Sequence, residues 1–322
     1  MINMRKKNIV VVYYGDDWKR PIPLPNAEST RKSFEYWHDK GLEKNVNFYR
    51  ASIKWYDDDS ATFSKAWVYR EGKWKKIISK IKPDLIFDKI SSKKNYKMFD
   101  KKVEIAAKTK FFNNPAFRVV FDNKFTQFLL FSELMPKSIL ANNKKEYEQA
   151  LKVIKTSKVV VKPLFGSGGF NILIEEKSKL KNKRIKYPVL LQAFVKSYNG
   201  VPGIPGIKGV ADLRLVFMNH KLIYSLSRIA KKNSLFTNFH QGATAVMVQR
   251  KSIPKPIWQL VKPIQKKLKV FNDASYSLDF IFDEKGQAYL LEMNTTPGMD
   301  LLHELGDEKT KEKNLEELIK IV

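Results

Sequence analysis

Apolar and polar positions along the chain predict a mixed fold in which strands and helices follow one another. Runs rich in Val, Ile and Phe predict buried strands, and apolar residues three or four positions apart predict amphipathic helices. The predicted strands are 7–14, 46–55, 62–69, 82–90, 158–163, 172–175 and 187–195, with hairpins over 211–230 and 276–294. The predicted helices are 29–40, a segment after residue 123, 143–156, 254–270 and 315–322. This order of elements indicates the α/β (α+β) class.

The first 112 residues predict an α/β domain by themselves. No Gly-x-Gly-x-x-Gly pattern follows the first strand, so a dinucleotide site is not expected there. Asp88 stands at the carboxyl end of strand 82–90, which is where ligands bind in open parallel sheets. The sequence leaves two interpretations of Asp88 open, a substrate contact and an ordinary loop acid.

The hairpin near the carboxyl end carries three oxygen-bearing side chains on one predicted face. Residues 283–286 are a turn signal, and a loop of either two or four residues puts Asp283 opposite Ala288 and Asp279 opposite Glu292. Asn294 shares the face of Glu292, because side chains two apart on a strand point the same way. Opposed acids repel unless a cation lies between them, and oxygen donors of this kind suit Mg²⁺. The alternative is a surface hairpin with scattered acids.

A glycine-rich segment follows the strand that ends at Lys162 and Pro163. Its small residues are Gly166, Ser167, Gly168 and Gly169. Small residues let backbone N–H groups approach phosphate closely, and a lysine neutralises phosphate charge. The segment does not match the Walker A pattern, because no Gly-Lys-Ser/Thr follows. It predicts a lid hairpin over phosphates, and the alternative is a plain glycine-rich loop.

Other polar positions are candidates for the same site. Lys124 begins a predicted helix, where its ammonium and the helix amino end would both meet phosphate, although such a lysine is more often simply solvated. The hairpin over 211–230 brings Asp212 and Arg214 to one face and ends with Arg228. A polar loop after this hairpin contains Asn238. The end of the strand predicted over 187–195 is a candidate for offering backbone amides to an adenine ring, and its residues are Gln192, Ala193, Phe194 and Val195.

The formal net charge is +27, with 60 Lys and Arg against 33 Asp and Glu. A field of this sign favours polyanions, which include nucleic acid, acidic polypeptides, nucleotides and membrane surfaces. Lysine dominates and is spread over the entire chain, and the sequence has no arginine-rich tail, RNP-like aromatic motif or zinc finger. A lysine-rich proteome bias explains the charge equally well, so the charge alone does not choose a partner.

Composition sets further limits. With 322 residues, 43% of them hydrophobic, the chain is long enough for two or three packed domains. The absence of cysteine excludes disulfides, thiolate zinc sites and a cysteine nucleophile. The apolar run near the start is too short for a signal peptide or a membrane span. We therefore expect a cytoplasmic protein with no membrane span.

Taken together, these motifs resemble the ATP-grasp superfamily, especially its glutathione-synthetase and amino-acid (glutamate) ligase branch. The similarity covers about residues 113–302. It implies a Rossmann-like pre-ATP-grasp substrate domain over 1–112, a lid subdomain with the glycine-rich loop over 113–194, and a carboxyl-terminal subdomain with the metal site over 195–322. The implied cofactors are ATP and two Mg²⁺ ions, with Mn²⁺ as a substitute.

The resemblance also implies roles for the candidate residues. Lys124 and Lys162 match the lysines on ATP phosphates, the segment 166–171 matches the phosphate-covering loop, and 192–195 matches the interdomain strand that holds adenine. The positions that match polar groups near the phosphates and the acyl group are Asp212, which we assign to the nucleotide, and Arg214, Arg228 and Asn238, which we assign to catalysis. The metal ligands implied by the resemblance are Asp279, Glu292 and Asn294.

Three departures from the family pattern bear on substrate and loop geometry. Asn171 stands where the loop normally ends in glycine, and we expect it to work because Asn tolerates left-handed backbone geometry. Ala193 replaces a commonly acidic residue, which costs little if backbone atoms contact adenine. Gln241 and Ala243 replace an Arg and a Gly often seen in the glutamate-ligase branch, which leaves the amino-acid substrate open.

The activity that the resemblance implies is ligation of a carboxylate to an amine through an acyl phosphate, with release of ADP and phosphate. The substrates would be small molecules or peptides. A thiol or hydroxyl acceptor is an alternative on the same fold, and an acidic peptide or protein acceptor would suit the lysine-rich surface. A basic nucleic-acid-binding protein with a regulatory nucleotide site is an alternative of a different class, for which a steep salt dependence of polynucleotide affinity would be diagnostic.

Overall fold

The computed structural model describes residues 5–322, except for the side chain of residue 240. It confirms the mixed α/β class. The chain divides into two compact units. Unit 1 contains the described part of Met1–Val119 together with Phe271–Ser275 and Thr296–Val322, and unit 2 contains Val120–Val270 and Tyr276–Thr295. The fold has three sheets, and they lie within the segments 1–112, 113–194 and 195–322 that the sequence analysis expects. That these segments are separate functional domains stays a prediction.

Unit 1 is built on a seven-stranded sheet. Its strands are β1 (Lys7–Tyr13), β2 (Val46–Ser52), β3 (Tyr56–Asp57), β4 (Thr62–Arg70), β5 (Lys73–Ile81), β6 (Leu85–Asp88) and β7 (Phe111–Phe112). Strands β2, β1, β6 and β7 lie side by side in that order and run parallel, whereas β4 is antiparallel to β2, β3 and β5. The central strand β1 is buried over its apolar run, as is typical of parallel strands in a sheet whose two faces are covered.

Unit 2 contains two sheets. The four-stranded sheet has the order β10-β9-β11-β8, and its strands are β8 (Ser138–Ala141), β9 (Lys158–Pro163), β10 (Leu173–Glu176) and β11 (Val189–Ala193). The five-stranded sheet has the order β14-β13-β12-β15-β16, and its strands are β12 (Ala211–Met218), β13 (Lys221–Ile229), β14 (Thr244–Met247), β15 (Ser275–Phe282) and β16 (Ala288–Asn294). Strand β15 is buried along its whole length between β12 and β16.

The helices pack on these sheets. They are α1 (Glu28–Glu43), α2 (Ser92–Asn95), α3 (Phe99–Lys108), α4 (Pro115–Phe121), α5 (Lys124–Phe131), α6 (Lys144–Val153), α7 (Lys177–Leu180), α8 (Lys255–Leu268), α9 (Asp300–Glu304) and α10 (Glu308–Ile319). In the described range 5–322, no helix has both the length and the apolar character needed to cross a membrane.

Most predicted elements are present, and the differences have local causes. The strand predicted over 46–55 ends at Ser52, whose side chain accepts a hydrogen bond from the N–H of Lys54 and caps a 3₁₀ turn. Strands β5 and β14 were not predicted, because β5 is lysine-rich without clean alternation and β14 follows a polar loop. The last helix begins at Glu308 instead of residue 315, after the side chain of Asp307 accepts from the N–H of Thr310.

Asp88 is a buried ion-pair partner in unit 1. Its Oδ2 lies 2.6 Å from Nζ of Lys102 and 2.8 Å from Nη1 of Arg118, and its Oδ1 accepts from the N–H of Ile90 at 2.9 Å. Burial raises the pKa of this carboxyl, but the two cations outweigh it and lower the pKa overall. Asp88 is the last residue of β6, so the interpretation as a loop acid is wrong; its oxygens are bound by protein groups, and a substrate contact stays a prediction.

Candidate active site

A cleft lies within unit 2, between its two sheets. Most of the residues selected from the sequence line it. These are Lys162, Gln192, Ala193, Phe194, Val195, Asp212, Arg228, Asn238, Asp279 and Glu292. The other selected residues, which are Lys124, Gly166, Ser167, Gly168, Gly169, Arg214 and Asn294, are not part of the lining, and most of them contact it as described below.

The hairpin of β15 and β16 brings together the three oxygen-bearing side chains. Asp279 pairs with Glu292 and Ser277 pairs with Asn294, which is the register predicted for this end of the hairpin. The side-chain amide of Asn294 donates to Oε1 of Glu292 at 3.2 Å. The three oxygen donors therefore lie on one face, next to the cleft.

The other end of the hairpin corrects the predicted register. After Asp279 the pairing shifts by one residue, so that Ala288 faces Phe282 and the predicted pairing of Asp283 with Ala288 is wrong. Leu291 is the additional residue of this β-bulge, and its carbonyl oxygen lies 3.5 Å from Nζ of Lys162. The physical reason is the turn. The carboxylate of Asp283 accepts from two backbone N–H groups at 2.9 Å each, which stabilises a loop of residues 283–287 that is longer than either predicted loop.

Asp279 is bound by two arginines. Nε and Nη2 of Arg214 donate to its two oxygens at 2.7 and 2.6 Å, and Nη2 of Arg228 donates to Oδ2 at 2.8 Å. Arg228 also donates through Nε and Nη2 to both oxygens of Asp212, at 3.0 and 2.5 Å. The strands set up this network, because Asp212 and Arg214 are two apart on β12 and Asp212 faces Arg228 on β13.

Charge pairing opposes the effect of burial on the ionisable groups of this network. Burial raises the pKa of Asp279, but Arg214 and Arg228 outweigh it and bring the pKa to about 2. Burial raises the pKa of Asp212 overall, against the opposing effect of Arg228. Burial lowers the pKa of Arg228, whereas Asp212 and Asp279 raise it to a value above that of a free guanidinium. The site therefore contains fixed charges of both signs.

Lys162 projects from β9 into the cleft. Its Nζ donates to Oε1 of Gln192 on the neighbouring strand β11 at 2.7 Å, and Nε2 of Gln192 donates to the hydroxyl of Ser138 at 3.1 Å. Burial lowers the pKa of Lys162 to about 8, and nearby Glu292 offsets part of that effect. Lys162 is only 6% exposed, so its ammonium gains from a bound anion, which would replace its lost hydration.

Lys124 links the glycine-rich loop to the acidic hairpin. It begins helix α5 as predicted, since the side chain of Asn123 accepts from the N–H of Phe125. Its Nζ donates to the carbonyl oxygen of Gly166 and lies 3.9 Å from Oε2 of Glu292. The Lys124 ammonium thus lies within reach of the glycine-rich loop, of Glu292 and of the amino end of α5.

The loop adopts the backbone geometry that its composition favours. Gly166, Gly168 and Gly169 have φ values of 109°, 76° and 77°, and Asn171 has a φ of 60°, so the expectation that Asn171 tolerates left-handed geometry is confirmed. A Cβ added at Gly169 would lie 2.6 Å from Oδ1 of Asn238, which shows how closely the loop backbone approaches that amide. Ser167 is exposed.

Sequence reasoning missed the apolar walls of the cleft. These walls are formed by Val160, Ile172, Ile174, Leu235, Phe236, Ile281 and Leu291. A signal was present, because Val160 is two residues from Lys162 and Ile281 is two residues from Asp279, so each shares a strand face with a selected residue. Thr237 was also missed, and its hydroxyl donates to Asp212. An apolar slot beside charged groups suits a ligand with a flat ring and a charged tail.

The donor set fits a hard divalent cation. No group of three or more His, Asp or Glu side chains that could hold a metal is found in residues 5–322, so a site here needs the amide oxygen of Asn294 as well. Glu292 and Asn294 present oxygens on one face, whereas Asp279 already accepts three hydrogen bonds from arginine. A carboxylate has about four lone-pair sites, so Asp279 keeps capacity for one further partner.

Comparison with known proteins gives a consistent family. The family model described as RimK-like ATP-grasp domain matches residues 123–317, which is more than half of the chain. A probable alpha-L-glutamate ligase of Pasteurella multocida is 25% identical over 174 residues, which are 52% of this chain and 50% of that protein. The chain thus spans about half the length of the curated relatives it matches.

Solved structures share the fold over nearly the whole chain. D-alanyl-alanine synthetase A from Vibrio cholerae superposes with a TM-score of 0.64 and 15% identity, covering 99% of this chain and 98% of that one. A RiPP-associated ATP-grasp ligase of Chryseobacterium gregarium, solved with ADP and a leader and core peptide, superposes with a TM-score of 0.59 and 14% identity, covering 98% and 97%. At these identities the similarity establishes the fold alone.

Proposed function

The chain belongs to the RimK-like ATP-grasp domain family, and from this premise we propose that it is an ATP-dependent carboxylate–amine ligase. The proposed reaction joins a carboxylate to an amine and releases ADP and phosphate. The observation that carries the proposal is the cleft of unit 2, where a buried lysine, an arginine and paired acids line a slot with apolar walls. Arg214 and Asn294 contact those acids from outside the lining. Amino acids and peptides are the substrate classes we propose, in line with the names of its relatives.

Within the proposal, unit 2 binds ATP with its base in the apolar slot. The N–H groups of Ala193 and Phe194 already donate to Lys137 and Thr156, so we assign the adenine edge to the carbonyl oxygens of 192–195 and the N–H of Val195. Lys162 and Lys124 neutralise the phosphates. Asp212 contributes by fixing Arg228, since both of its oxygens accept from that guanidinium. The loop that contains Gly166, Ser167, Gly168 and Gly169 covers the phosphates and excludes water, which would otherwise hydrolyse a reactive acyl phosphate.

The chemistry proceeds in two balanced steps. A carboxylate oxygen of the first substrate attacks the γ-phosphorus, the bond from that phosphorus to the β–γ bridging oxygen breaks, and ADP leaves. The amine then attacks the acyl carbon, phosphate leaves with the electrons of the C–O bond, and the amine proton passes to solvent. The step through the acyl phosphate is needed because oxide is a poor leaving group, whereas phosphate is a good one.

Arg228 is the residue we assign to stabilising the transferring phosphoryl group or the tetrahedral oxyanion. Nε and Nη2 are bound by carboxylates, so Nη1 is the nitrogen that would reach the reacting oxygen. One well-placed donor of this kind contributes about 3–4 kcal/mol to the transition state. Arg214 positions Asp279, and Asn238, which lines the cleft, orients the acyl group.

ATP-grasp proteins generally use ATP with Mg²⁺. We propose that Glu292 and Asn294, with the remaining lone pair of Asp279, hold up to two Mg²⁺ ions, or Mn²⁺ in their place. The bound ions would supply charge neutralisation for the phosphates. Residues 1–112, 113–194 and 195–322 would serve as substrate domain, lid and metal-bearing subdomain.

The test is a screen for ADP release from MgATP with pairs of carboxylates and amines, followed by mass spectrometry of the product. The proposal predicts ADP release that needs both substrates and a product whose mass equals the two substrates minus water. A product formed only with a thiol or a hydroxyl compound would keep the fold assignment and replace the acceptor. Absence of ADP release with every amino acid and peptide pair would contradict the proposed function.

A further inference from the structure

Strand β5 is the outer strand of the sheet in unit 1. It pairs with β4 from Lys73, opposite Arg70, to Ile81, opposite Phe63. Within the described residues no strand pairs with its other edge. A nine-residue antiparallel edge of this kind presents unpaired backbone groups to solvent.

The turn determines which backbone groups point outward. Glu71 and Gly72 have φ values of 55° and 73°, as in a two-residue type I′ hairpin turn, so Arg70 and Lys73 form the hydrogen-bonded pair beside it. Hydrogen-bonded and non-hydrogen-bonded pairs alternate along antiparallel strands. The N–H and C=O groups of Trp74, Lys76 and Ile78 are therefore directed away from β4 and are available to another strand.

The edge is strongly basic. Residues 73–82 contain no acid, and the lysines among them are Lys73, Lys75, Lys76, Lys80 and Lys82. Lys75 forms an ion pair with Glu71, and the ammonium of Lys76 lies 5.2 Å from the ring centroid of Trp67. The other three have no ion pair to a described residue. An approaching segment would therefore meet a field that favours carboxylates.

Lysines on an edge strand also serve to prevent aggregation, and that alternative must be weighed. It does not account for Ile78, which shares a strand face with Lys76 and is 80% exposed; Lys80 follows it inside the register shift between Ile78 and Ile81. A purely protective edge would place a charge there, because an exposed apolar side chain next to free backbone groups invites strand pairing. An apolar residue next to a carboxylate would complement Ile78 and Lys76, which share a face, and the lysine at position 80 adds to the positive field at this end of the strand.

We propose that β5 binds an extended acidic peptide segment as an additional strand, and that this segment belongs to the peptide substrate of the ligase, which rests on the proposed function. Backbone pairing with Trp74, Lys76 and Ile78 supplies affinity, an apolar residue of the segment contacts Ile78, a neighbouring carboxylate contacts Lys76, and Lys80 attracts carboxylates beyond the register shift. The surface that we call the β5 edge consists of residues 73–82.

The direct test is fluorescence anisotropy with a labelled octapeptide that alternates Glu and Val, without ATP. A second peptide has the same sequence and N-methyl groups on alternate backbone nitrogens, which block strand addition and leave the charges unchanged. We expect the first peptide to bind and the methylated peptide to bind at least about tenfold more weakly, since several backbone hydrogen bonds are lost. Failure of the first peptide to bind, or equal binding of the two, would overturn the proposal.

Variants separate strand addition from general electrostatic attraction. Ile78→Lys increases the positive charge, so attraction by charge alone predicts tighter binding, whereas the proposal predicts weaker binding because the apolar contact is lost. The double variant Lys76→Glu/Lys80→Glu should abolish binding, and its matched control, Lys181→Glu/Lys183→Glu, makes the same charge change at exposed residues elsewhere and should bind normally. Equal losses in the two double variants would contradict the β5 edge as the binding surface.

Displacement of the labelled peptide by competitors identifies the class of partner. Together with the ADP-release screen, it also tests the β5 edge separately from the ligase proposal. Unlabelled peptide should displace the probe, and an oligodeoxythymidylate should not; equally effective displacement by the oligonucleotide would overturn the assignment to peptide. Peptide binding without any ADP release in the substrate screen would reject the ligase proposal and keep the β5 edge. ADP release with free amino acids, but no peptide binding, would reject the β5 edge and keep the ligase.

Discussion

Each unit contains a buried acid that is bound by cations, and the two clusters differ in what surrounds them. In unit 1, Asp88 is bound on both oxygens by Ile90, Lys102 and Arg118, and its side chain has no exposed surface. In unit 2, Asp279 is also bound by two cations, but it borders a cleft together with Lys162 and Glu292. Burial and ion pairing are common to the two clusters, so neither feature by itself identifies a functional site.

The two clusters differ because the one in unit 2 borders an open cleft and contains charged groups that can still bind a ligand. Glu292 accepts from the amide of Asn294 and is 3.9 Å from the Lys124 ammonium, and Lys162 is a desolvated cation on the wall of the cleft. Such groups gain when a charged ligand arrives, whereas the groups around Asp88 have already formed their contacts. Substitutions in unit 1 should therefore lower stability, and substitutions in the cleft should lower activity.

The largest expected effect is on turnover, from Glu292→Gln. The substitution keeps the shape and the contact with Asn294 but removes a charge needed to hold a metal ion, so ATP turnover should fall by roughly 10³-fold, equivalent to several kcal/mol. The measurement is steady-state ADP release, with circular dichroism to verify folding. Glu284→Gln, at an exposed position of the 283–287 turn, is the control and should retain normal turnover.

The opposite case is Asp88→Asn. Removal of this charge leaves Lys102 and Arg118 buried without a counter-charge, which should lower the free energy of unfolding by about 3–5 kcal/mol. Urea denaturation measures the loss, and the ATP affinity of the folded fraction should be unchanged. A stable Asp88→Asn protein with weakened ATP binding would show that the comparison between the two clusters is wrong.

A smaller effect is expected from pH. Lys162 has a pKa of about 8 in the free protein, and bound phosphate raises it, because the charged form binds better. Nucleotide affinity should therefore be full below pH 8 and should fall by up to about tenfold per unit as pH rises above 8. Calorimetric titration with ATP between pH 7 and pH 10 measures it. The Lys162→Gln variant should bind ATP weakly at pH 7, and its ATP affinity should no longer fall as the pH rises above 8. If the affinity of the variant falls with pH as much as that of the unmodified protein, a group other than Lys162 causes the pH dependence.

The smallest expected effect comes from the glycine-rich loop. Gly169 and Gly203 have the same φ of +77°, but a Cβ meets Asn238 at Gly169 and nothing within 4 Å at Gly203. Alanine at either position should cost about 1–2 kcal/mol of backbone strain. Only Gly169→Ala should also raise the KM for ATP, by a few fold, because the loop is pushed away from Asn238. Equal KM values for ATP in the two variants would contradict the prediction and show that the close approach of Gly169 to Asn238 does not affect nucleotide binding.

The sequence predicted those parts of the site that local pattern determines. Strand periodicity placed Asp279 opposite Glu292 and Asp212 beside Arg214, and helix capping placed Lys124 at a helix start. It did not predict the bulge at Leu291, because a single shift of register depends on how one turn is hydrogen-bonded. It also did not predict that Asp88 would meet Lys102 and Arg118, because pairing between distant residues leaves no mark on local periodicity.

Crystals grown with Mn²⁺ and a non-hydrolysable ATP analogue, with anomalous diffraction recorded for manganese, test the central claim most directly. The account predicts a manganese peak bonded to Glu292 and Asn294, with the analogue in the cleft of unit 2 and its phosphates beside Lys162. A nucleotide bound elsewhere, or a cleft that contains nucleotide but no manganese near those two side chains, would contradict it.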